Sequence, residues 1–407
     1  MTTRRNLLIG ASCAAVAAAS PFAVALGATN TRRNIIDVEK DPGALQALRD
    51  AIDVLRKKDD YGKRPAIDGW FALATTHSQM CFGASGVHEI HYGWWFLPWH
   101  RAYLIHVERA LQEAINEPSL TIPYWDWITT PTLPKSFFEA SYRKGDEKQI
   151  NPLYDDQRYG PVGQGGAVNF ADLGAPGKDE RELIAIDTFE NFAGAPPDGK
   201  QTKRPGFLEA TPHTYIHRAI GYDQPNNRVG LLTVGMAPLD PAFFLHHANV
   251  DRLWTVWTKA GGRRANPEDP AWREHRLAFP DTKKFKLIDY RIGDLLNTEQ
   301  SSGHYRYDRE SATGPVVNAG VLALRGLPIS PLPATIRVFV ERAGSAPTLV
   351  GSISTIPAQT GKMDAVLPIN ATQRPLFADR NAVSIRATVA GTDAPAIFEG
   401  FAIDLPQ

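Results

Sequence analysis

The sequence predicts two domains of different class: a mainly α N-terminal domain with long loops, then an all-β, sandwich-like C-terminal domain. At 407 residues, the chain is longer than one hydrophobic core usually accommodates. Apolar residues recur at helical spacing in several segments before residue 260. From about Gly314 onward, short apolar runs lie between Gly and Pro turns, a pattern typical of β-strands.

Composition excludes some classes of partner. The chain is 43% hydrophobic and 22% charged, which is ordinary for a globular protein. It carries 44 basic and 44 acidic side chains, so its formal net charge is zero. This balance provides no electrostatic basis for binding nucleic acid or an anionic membrane surface.

Residues 1–28 resemble an export signal. Arg4 and Arg5 form a twin arginine, and an apolar run follows as far as Val24. A transmembrane anchor is the alternative, although the run is rich in Ala and Ser and no second segment approaches 18 apolar residues. We therefore expect export in the folded state by the twin-arginine route, to the periplasm or the medium, with no anchor in the mature protein.

Helical spacing is found in segments that also contain histidines. Two helices are predicted before the first loop, at Asp41–Lys57 and at Trp70–Met80, which includes His77. Pro98 is expected to open a third helix. The break at Pro98 can bring His91 and His100 together, although their nine-residue separation would place them on opposite faces of one straight helix.

The remaining segments are predicted as loops and strands. Residues 122–127 are expected to be irregular, and residues 135–203 to form long loops with one helical patch near 182–189. In the C-terminal domain, strands are predicted at 321–325, 334–341, 349–353, 382–388 and 396–403.

Nine of the eleven histidines fall in two clusters, at positions 77, 88, 91, 100 and 106 and at 213, 217, 246 and 247. His213 and His217 share one helix face, and Asp251 lies on the same face as His247, where its carboxylate could accept the ring N–H. Removal of the signal would leave Cys81 as the single cysteine, so no thiolate zinc site is possible. Two imidazole clusters favour copper or zinc over hydrogen-bonded core histidines.

Two motifs resemble the copper signatures of the type-3 copper family, which comprises tyrosinases, catechol (polyphenol) oxidases and haemocyanins. They are Asp240-Pro241-x-Phe243-Phe244-x-x-His247-x-x-x-Asp251 and the segment from His91 to Leu104, which contains Pro98-Trp99-His100-Arg101. The resemblance covers about residues 35–307 and suggests an exported bacterial member with plant-like features. It implies an antiparallel four-helix bundle that holds two copper ions and uses dioxygen as co-substrate.

The resemblance also implies the ligands. The first copper would be bound by His77, His91 and His100, and the second by His213, His217 and His247. His246 and Asp251 would then lie next to the ligands without binding copper. His88 is the weaker alternative to His91 as a ligand. Cys81 lies four residues after His77, where plant catechol oxidases have a cysteine that forms a thioether with the second histidine. An inert buried thiol is the alternative.

Four further residues are implied by the same resemblance. Glu209 corresponds to a glutamate that positions water, the alternative being an exposed helix carboxylate. Thr214 stands where many tyrosinases that hydroxylate monophenols carry Asn. Arg218 corresponds to a residue at the substrate entrance, or is a solvated surface charge. Val234 corresponds to the gate residue, and a small side chain there would leave the coppers open.

The predicted function is oxidation of o-diphenols to o-quinones by a dicopper oxidase. A full tyrosinase that also hydroxylates monophenols is the alternative, and a dioxygen carrier, a copper store and a structural zinc protein are further ones. We expect a catalytic domain at 29–308, a linker at 309–320 and a β domain at 321–407. The β domain could shield the site, aid copper loading or form an oligomer contact. The oligomeric state is left open.

Overall fold

The protein, in a computed structural model, is described for residues 29–81, 90–197, 203–281, 286–356, 361–379, 384–392 and 394–405. Its helices are α1 (Ile35–Glu39), α2 (Pro42–Lys58), α3 (Trp70–Cys81), α4 (Phe96–Ile115), α5 (Phe170–Leu173), α6 (Glu180–Leu183), α7 (Phe189–Phe192), α8 (Thr214–Gly221), α9 (Ala242–Lys259), α10 (Pro270–Arg273) and α11 (Ile292–Leu295). The predicted signal at 1–28 and His88 lie outside the described residues.

The strands are short in the helical part and longer near the C-terminus. They are β1 (Asn30–Arg32), β2 (Ser141–Lys144), β3 (Glu147–Ile150), β4 (Tyr222–Asp223), β5 (Arg228–Val229), β6 (Arg276–Asp281), β7 (Lys286–Arg291), β8 (Tyr305–Tyr307), β9 (Gly320–Ile329), β10 (Ala334–Glu341), β11 (Thr348–Thr355), β12 (Gly361–Ile369), β13 (Ser384–Val389) and β14 (Gly400–Asp404). In the described residues, no helix combines the length and apolar character needed to cross a membrane.

Helices α4 and α9 lie at the centre of the helical part and pack against each other. Asp240 initiates α9: its carboxylate accepts the Ala242 N–H at 2.8 Å and pairs with buried Arg158 at 2.7 Å. Pro241 suits this position because its missing N–H would have no partner within the helix. Every residue of α9 from Ala242 to Trp257 is buried, so its histidines lie far from bulk water.

A π-helical turn, Glu209–His213, precedes α8 and contains Pro212. Proline has no N–H to donate to the preceding turn, and such local departures from the α-helix accommodate it. The turn and α8 together carry Glu209, His213 and His217, all of which are buried. The predicted helical face with His213 and His217 is therefore present, although its first turn is wider than expected.

The C-terminal part forms two antiparallel three-stranded sheets, in the orders β11-β10-β13 and β12-β9-β14. The predicted division into a helical core and a C-terminal β region is confirmed. Strand β12 was not predicted, and it contains Pro368 and a register shift between Met363 and Ala365. A bulge interrupts the alternation on which strand prediction rests. The helical patch predicted near 182–189 is instead two short helices, α6 and α7.

Strand β11 attaches the β region to the histidine-bearing helices. The Thr211 hydroxyl donates to the Ser352 carbonyl at 2.8 Å, and the Ser352 hydroxyl donates to the Asp172 carbonyl at 2.9 Å. Arg337 on β10 pairs with the Asp172 carboxylate at 3.0 Å. Thr211, Asp172 and Ser352 are buried, so these contacts lie inside the interface.

Candidate metal centre

The six predicted ligands converge in the helical core as two triads. In the first, the ring centroids of His77, His91 and His100 lie 5.1 to 5.7 Å apart. His77 comes from α3 and His100 from α4, while His91 lies in the bends before α4. Tyr92 has a positive φ of 63°, and this turn lets the chain bring His91 to the same point as His100. The convergence expected from the Pro98 break is confirmed, although α4 already begins at Phe96.

The second triad faces the first. The ring centroids of His213, His217 and His247 lie 4.7 to 5.3 Å apart. His100 stacks on His247 with centroids 4.4 Å apart, so the two triads share one pocket. All six imidazoles are at least nine-tenths buried.

Backbone carbonyls fix the tautomers of several rings. The Nδ1–H groups of His77, His100 and His217 donate to the carbonyls of Gly235, Phe96 and Leu232 at 2.6 to 2.8 Å. A longer contact of 3.3 Å joins His213 Nδ1 to the Glu209 carbonyl. Each Nε2 then carries the lone pair that a metal needs. Among the described residues, Nε2 of His77, His100 and His213 is buried with no hydrogen-bond partner.

Burial keeps these imidazoles neutral. Desolvation lowers the pKa of His77 and of His217 from 6.5 to about 4. The pKa values of His91, His100, His213 and His247 are also lowered by burial and by neighbouring histidines. Neutral rings with buried, unpartnered nitrogens are costly unless a ligand satisfies them, so the residues present fit two metal ions bound through imidazole.

His246 lies beside the second triad. Its ring centroid is 4.8 Å from that of His217 and 5.3 Å from that of His213. Both of its nitrogens are buried, with no hydrogen-bond partner in the described part of the chain. A nitrogen from each of His213, His217, His246 and His247 lies within 4.8 Å of those of the others, so geometry alone does not separate His246 from His247 as the third ligand.

Asp251 does not bind His247 as the spacing suggested. Its carboxylate accepts hydrogen bonds from Arg101 at 2.5 Å, from Tyr305 and Tyr307 at 2.6 Å, and from Arg32 at 3.4 Å. His247 Nδ1 has no partner among the described residues. The prediction of an Asp251–His247 hydrogen bond is therefore wrong, because two guanidinium groups and two phenols from distant segments surround the carboxylate. This network links α4, which carries His100, to α9, which carries His247. It therefore fixes the positions of the two triads relative to each other.

Cys81 is buried at the end of α3, and its Sγ lies 3.4 Å from His91 Nδ1. The same sulfur belongs to a group with His77 and His91 whose ligand atoms lie within 4.8 Å of one another. The predicted proximity of Cys81 to His91 is therefore present in the fold.

Glu209 and Thr214 flank His213. Glu209 is buried, and one carboxylate oxygen accepts the Tyr92 N–H at 2.6 Å. The alternative of an exposed helix carboxylate is thus excluded. The Thr214 hydroxyl donates to the Glu209 carbonyl at 2.7 Å, so its proton is directed to the backbone.

Little space remains beside the histidines. A hollow of about 10 Å³ is bordered by His77, His91, His217, Val234 and, from the β region, Ile356. This volume is about that of one water probe and is too small for a phenol. Val234 is 37% exposed, whereas Arg218 does not border the hollow and lies 5.8 Å from the Tyr215 ring centroid. Ile356, which follows β11, was not predicted as a site residue.

Comparison with known proteins agrees with this geometry. Residues 67–260 match the family model for the common central domain of tyrosinase. Polyphenol oxidase II of Ipomoea batatas is 31% identical over 243 residues, which are 54% of this chain and 39% of that protein. Catechol oxidase B of Solanum tuberosum is 26% identical over 315 residues, covering 69% of this chain and 52% of that protein. The chain thus spans about half the length of the curated relatives it matches.

Solved structures share the fold over nearly the whole chain. The structure of latent apple tyrosinase superposes with a TM-score of 0.70 at 20% identity, covering 94% of this chain and 98% of that one. Tyrosinase from Burkholderia thailandensis gives a TM-score of 0.62 at 18% identity, covering 93% of this chain and 100% of that one. At these identities the similarity establishes the fold, a helical core with a C-terminal β region. With residues 67–260 matching the common central domain of tyrosinase, and with two buried histidine triads suited to a dinuclear copper centre, the chain carries the tyrosinase domain of the type-3 copper proteins.

Proposed function

We propose that this protein oxidises o-diphenols to o-quinones with dioxygen, as a catechol oxidase. The observation that carries the proposal is the pair of facing triads, His77, His91 and His100 with His213, His217 and His247. Among the described residues, Nε2 of His77, His100 and His213 has no hydrogen-bond partner. Two bound copper ions would supply electron transfer between the diphenol and dioxygen. In balance, two o-diphenols and one O2 give two o-quinones and two water molecules.

The chain's own residues would hold the rings and manage protons. The carbonyls of Gly235, Phe96 and Leu232 keep hydrogen on Nδ1, so Nε2 stays available for metal. We assign Glu209 the role of accepting the phenol proton or orienting water, because it is buried next to His213 and has been oriented by the Tyr92 N–H. We assign Val234 and Arg218 to the substrate entrance, where Val234 borders the hollow and Arg218 does not.

A full tyrosinase that also hydroxylates monophenols is the second candidate. The buried Glu209 and the small Val234 favour it, since both would help a monophenol to approach and lose its proton. The Thr214 hydroxyl donates its single proton to the Glu209 carbonyl, however, so it can only accept a hydrogen bond from water, whereas a side-chain amide can both donate and accept. We therefore expect diphenol oxidation to dominate.

The β region would act as a shield. Ile356 borders the hollow at the triads, and the hollow has no room for an aromatic ring. Strand β11 holds this segment through Ser352, which bonds to Thr211 and Asp172. We take residues 29–308 as the catalytic domain, 309–320 as a linker and 321–407 as the shielding domain. Catalysis would then require the β domain to move away or be cut off at the linker.

We further infer a thioether between Cys81 and His91, because Sγ already lies 3.4 Å from that ring. The bond would join Sγ to a ring carbon with loss of two hydrogens, the electrons passing to dioxygen at the copper centre. The cross-linked chain would be lighter by two hydrogens, which intact-mass and peptide mass spectrometry detect. A Cys81→Ser variant would lack this loss. An unmodified wild-type mass after copper loading and turnover would count against the bond.

Three finer interpretations accompany this proposal. We infer that α3, α4, α8 and α9 act as an antiparallel four-helix bundle, and that the two C-terminal sheets pack as a sandwich. We also infer export by the twin-arginine route after the copper has been inserted. Periplasmic or extracellular recovery that is lost on changing both Arg4 and Arg5 to Lys would support this route.

The test is oxygen consumption by copper-loaded protein, with and without residues 309–407, on 4-methylcatechol and on tyramine. We expect uptake with the catechol, increased by removal of the β domain. Comparable uptake with tyramine after any lag would make the protein a full tyrosinase. Reversible dioxygen binding without turnover in either form would refute the oxidase and favour a carrier.

A further inference from the structure

A second cavity, much larger than the hollow at the triads, lies between α2, α3, α4 and the β6–β7 pair. Its volume is about 830 Å³, within the range of small-molecule sites, and it shares no lining residue with the metal centre. The proposed oxidation makes no use of it.

One part of the cavity wall is aliphatic, and the rest is polar or charged. Leu73 on α3, Ala110 on α4 and Ile288 on β7 contribute to its surface. At its rim, Ile67 and Leu287 are 61% and 65% exposed, although large aliphatic side chains usually lie inside a protein. Apolar residues that converge on one concavity from separate segments indicate a binding site more strongly than scattered exposed residues do.

His106 is one of two buried polar residues in the cavity lining, the other being Thr76. It lines the wall from α4 and is only 8% exposed, with its ring 5.2 Å from that of Phe279. It makes no hydrogen bond to any residue that the structure describes. Burial lowers its pKa to about 4, so at neutral pH the ring offers one donor and one acceptor. The ring therefore favours a ligand that brings an acceptor oxygen for its N–H.

The charges around the cavity do not select an ion. Lys58 pairs with Asp68 at 2.7 Å, and Arg109 donates to the Tyr290 hydroxyl at 3.1 Å. The other charged lining residues are of both signs: Glu113, Asp281, Lys286 and Asp289. With three basic and four acidic residues, the lining is nearly balanced in charge and does little to offset the cost of burying a charged head group.

We propose that this cavity binds a neutral, largely apolar small molecule with one carbonyl or hydroxyl oxygen, which accepts a hydrogen bond from His106. The aliphatic walls would take the body of the molecule. Because α3 and α4 also carry His77 and His100, the site lies on the helices that hold the first triad.

The test is a fluorescence titration of the full-length protein with 6-propionyl-2-(dimethylamino)naphthalene, a neutral ketone with no phenol to be oxidised. We expect saturable one-to-one binding with a blue shift. His106→Leu should weaken binding about tenfold, the usual effect of one lost hydrogen bond, while His106→Gln should retain most of it. Ala110→Phe, which places an aromatic ring one helical turn from His106, should strongly weaken binding.

The matched control is Val234→Phe at the metal centre, which should leave binding unchanged. Thermal unfolding of each variant tests whether it is folded, and the Gln and Phe variants decide the result if His106→Leu unfolds. The proposal is overturned if the wild type shows no saturable binding. It is equally overturned if Ala110→Phe binds like the wild type, or if only Val234→Phe loses binding.

Discussion

The buried, neutral histidines predict a steep loss of stability in mild acid for the metal-free protein. His77 and His217 have pKa values of about 4 in the folded chain, against the ordinary value of 6.5. Between these values the unfolded chain takes up a proton that the folded chain does not. The free energy of unfolding therefore falls as the pH drops from about 6.5 towards 4.

The linkage relation gives about 2 kcal/mol of lost stability for each of these two histidines between pH 7 and pH 5. The other buried ring nitrogens of the triads act in the same direction, so the total loss should be at least about 4 kcal/mol. Carboxyl groups with ordinary pKa values titrate mostly below this window. Copper should reduce the loss, because bound imidazoles are held neutral.

The assay is urea unfolding of metal-free protein at pH 7 and pH 5, followed by tryptophan fluorescence. His217→Gln provides the matched variant, since it should lose about 2 kcal/mol less over the same interval. Equal stability of the wild type at the two pH values would refute burial of neutral imidazoles, and with it the preformed metal centre.

Three further predictions concern individual residues. Asp251→Asn removes the anionic partner of buried Arg101 and one of the two partners of Arg32, which keeps Glu108 at 3.0 Å, and should cost about 3–5 kcal/mol in chemical unfolding; a loss under about 1 kcal/mol would contradict the network. Ile356→Gly should raise catechol oxidation by the full-length chain, measured by oxygen uptake, whereas an unchanged rate would argue against shielding by this residue. His247→Gln should reduce copper, measured by elemental analysis, from two ions to about one per chain, while His246→Gln should retain two; the reverse result would exchange their roles.

Local patterns predicted part of the candidate metal centre, and the resemblance to the type-3 copper family implied the set of ligands. His213 and His217 share a face because four residues make about one helical turn, and the break before Pro98 allowed His91 to approach His100. The helical and β parts were separable because their apolar periods differ. In each of these cases, the signal lies within a short stretch of chain.

What the sequence did not reveal depends on contacts between distant segments. Spacing alone pairs Asp251 with His247, but Arg32 and Tyr307, which are distant in sequence, bind its carboxylate instead. Ile356 reaches the triads only because strand β11 docks on the helical core. The cavity around His106 also needs the β6–β7 pair to close over α4, and no local pattern reports that packing.

The most direct test of the central claim, that both triads bind copper and act together, is a copper titration of the metal-free protein lacking residues 309–407. Oxygen uptake on 4-methylcatechol is recorded at each addition. We expect activity to rise to a plateau at two copper ions per chain and a single ion to give little turnover. Full activity with one ion, or no activity with two ions bound, would contradict it.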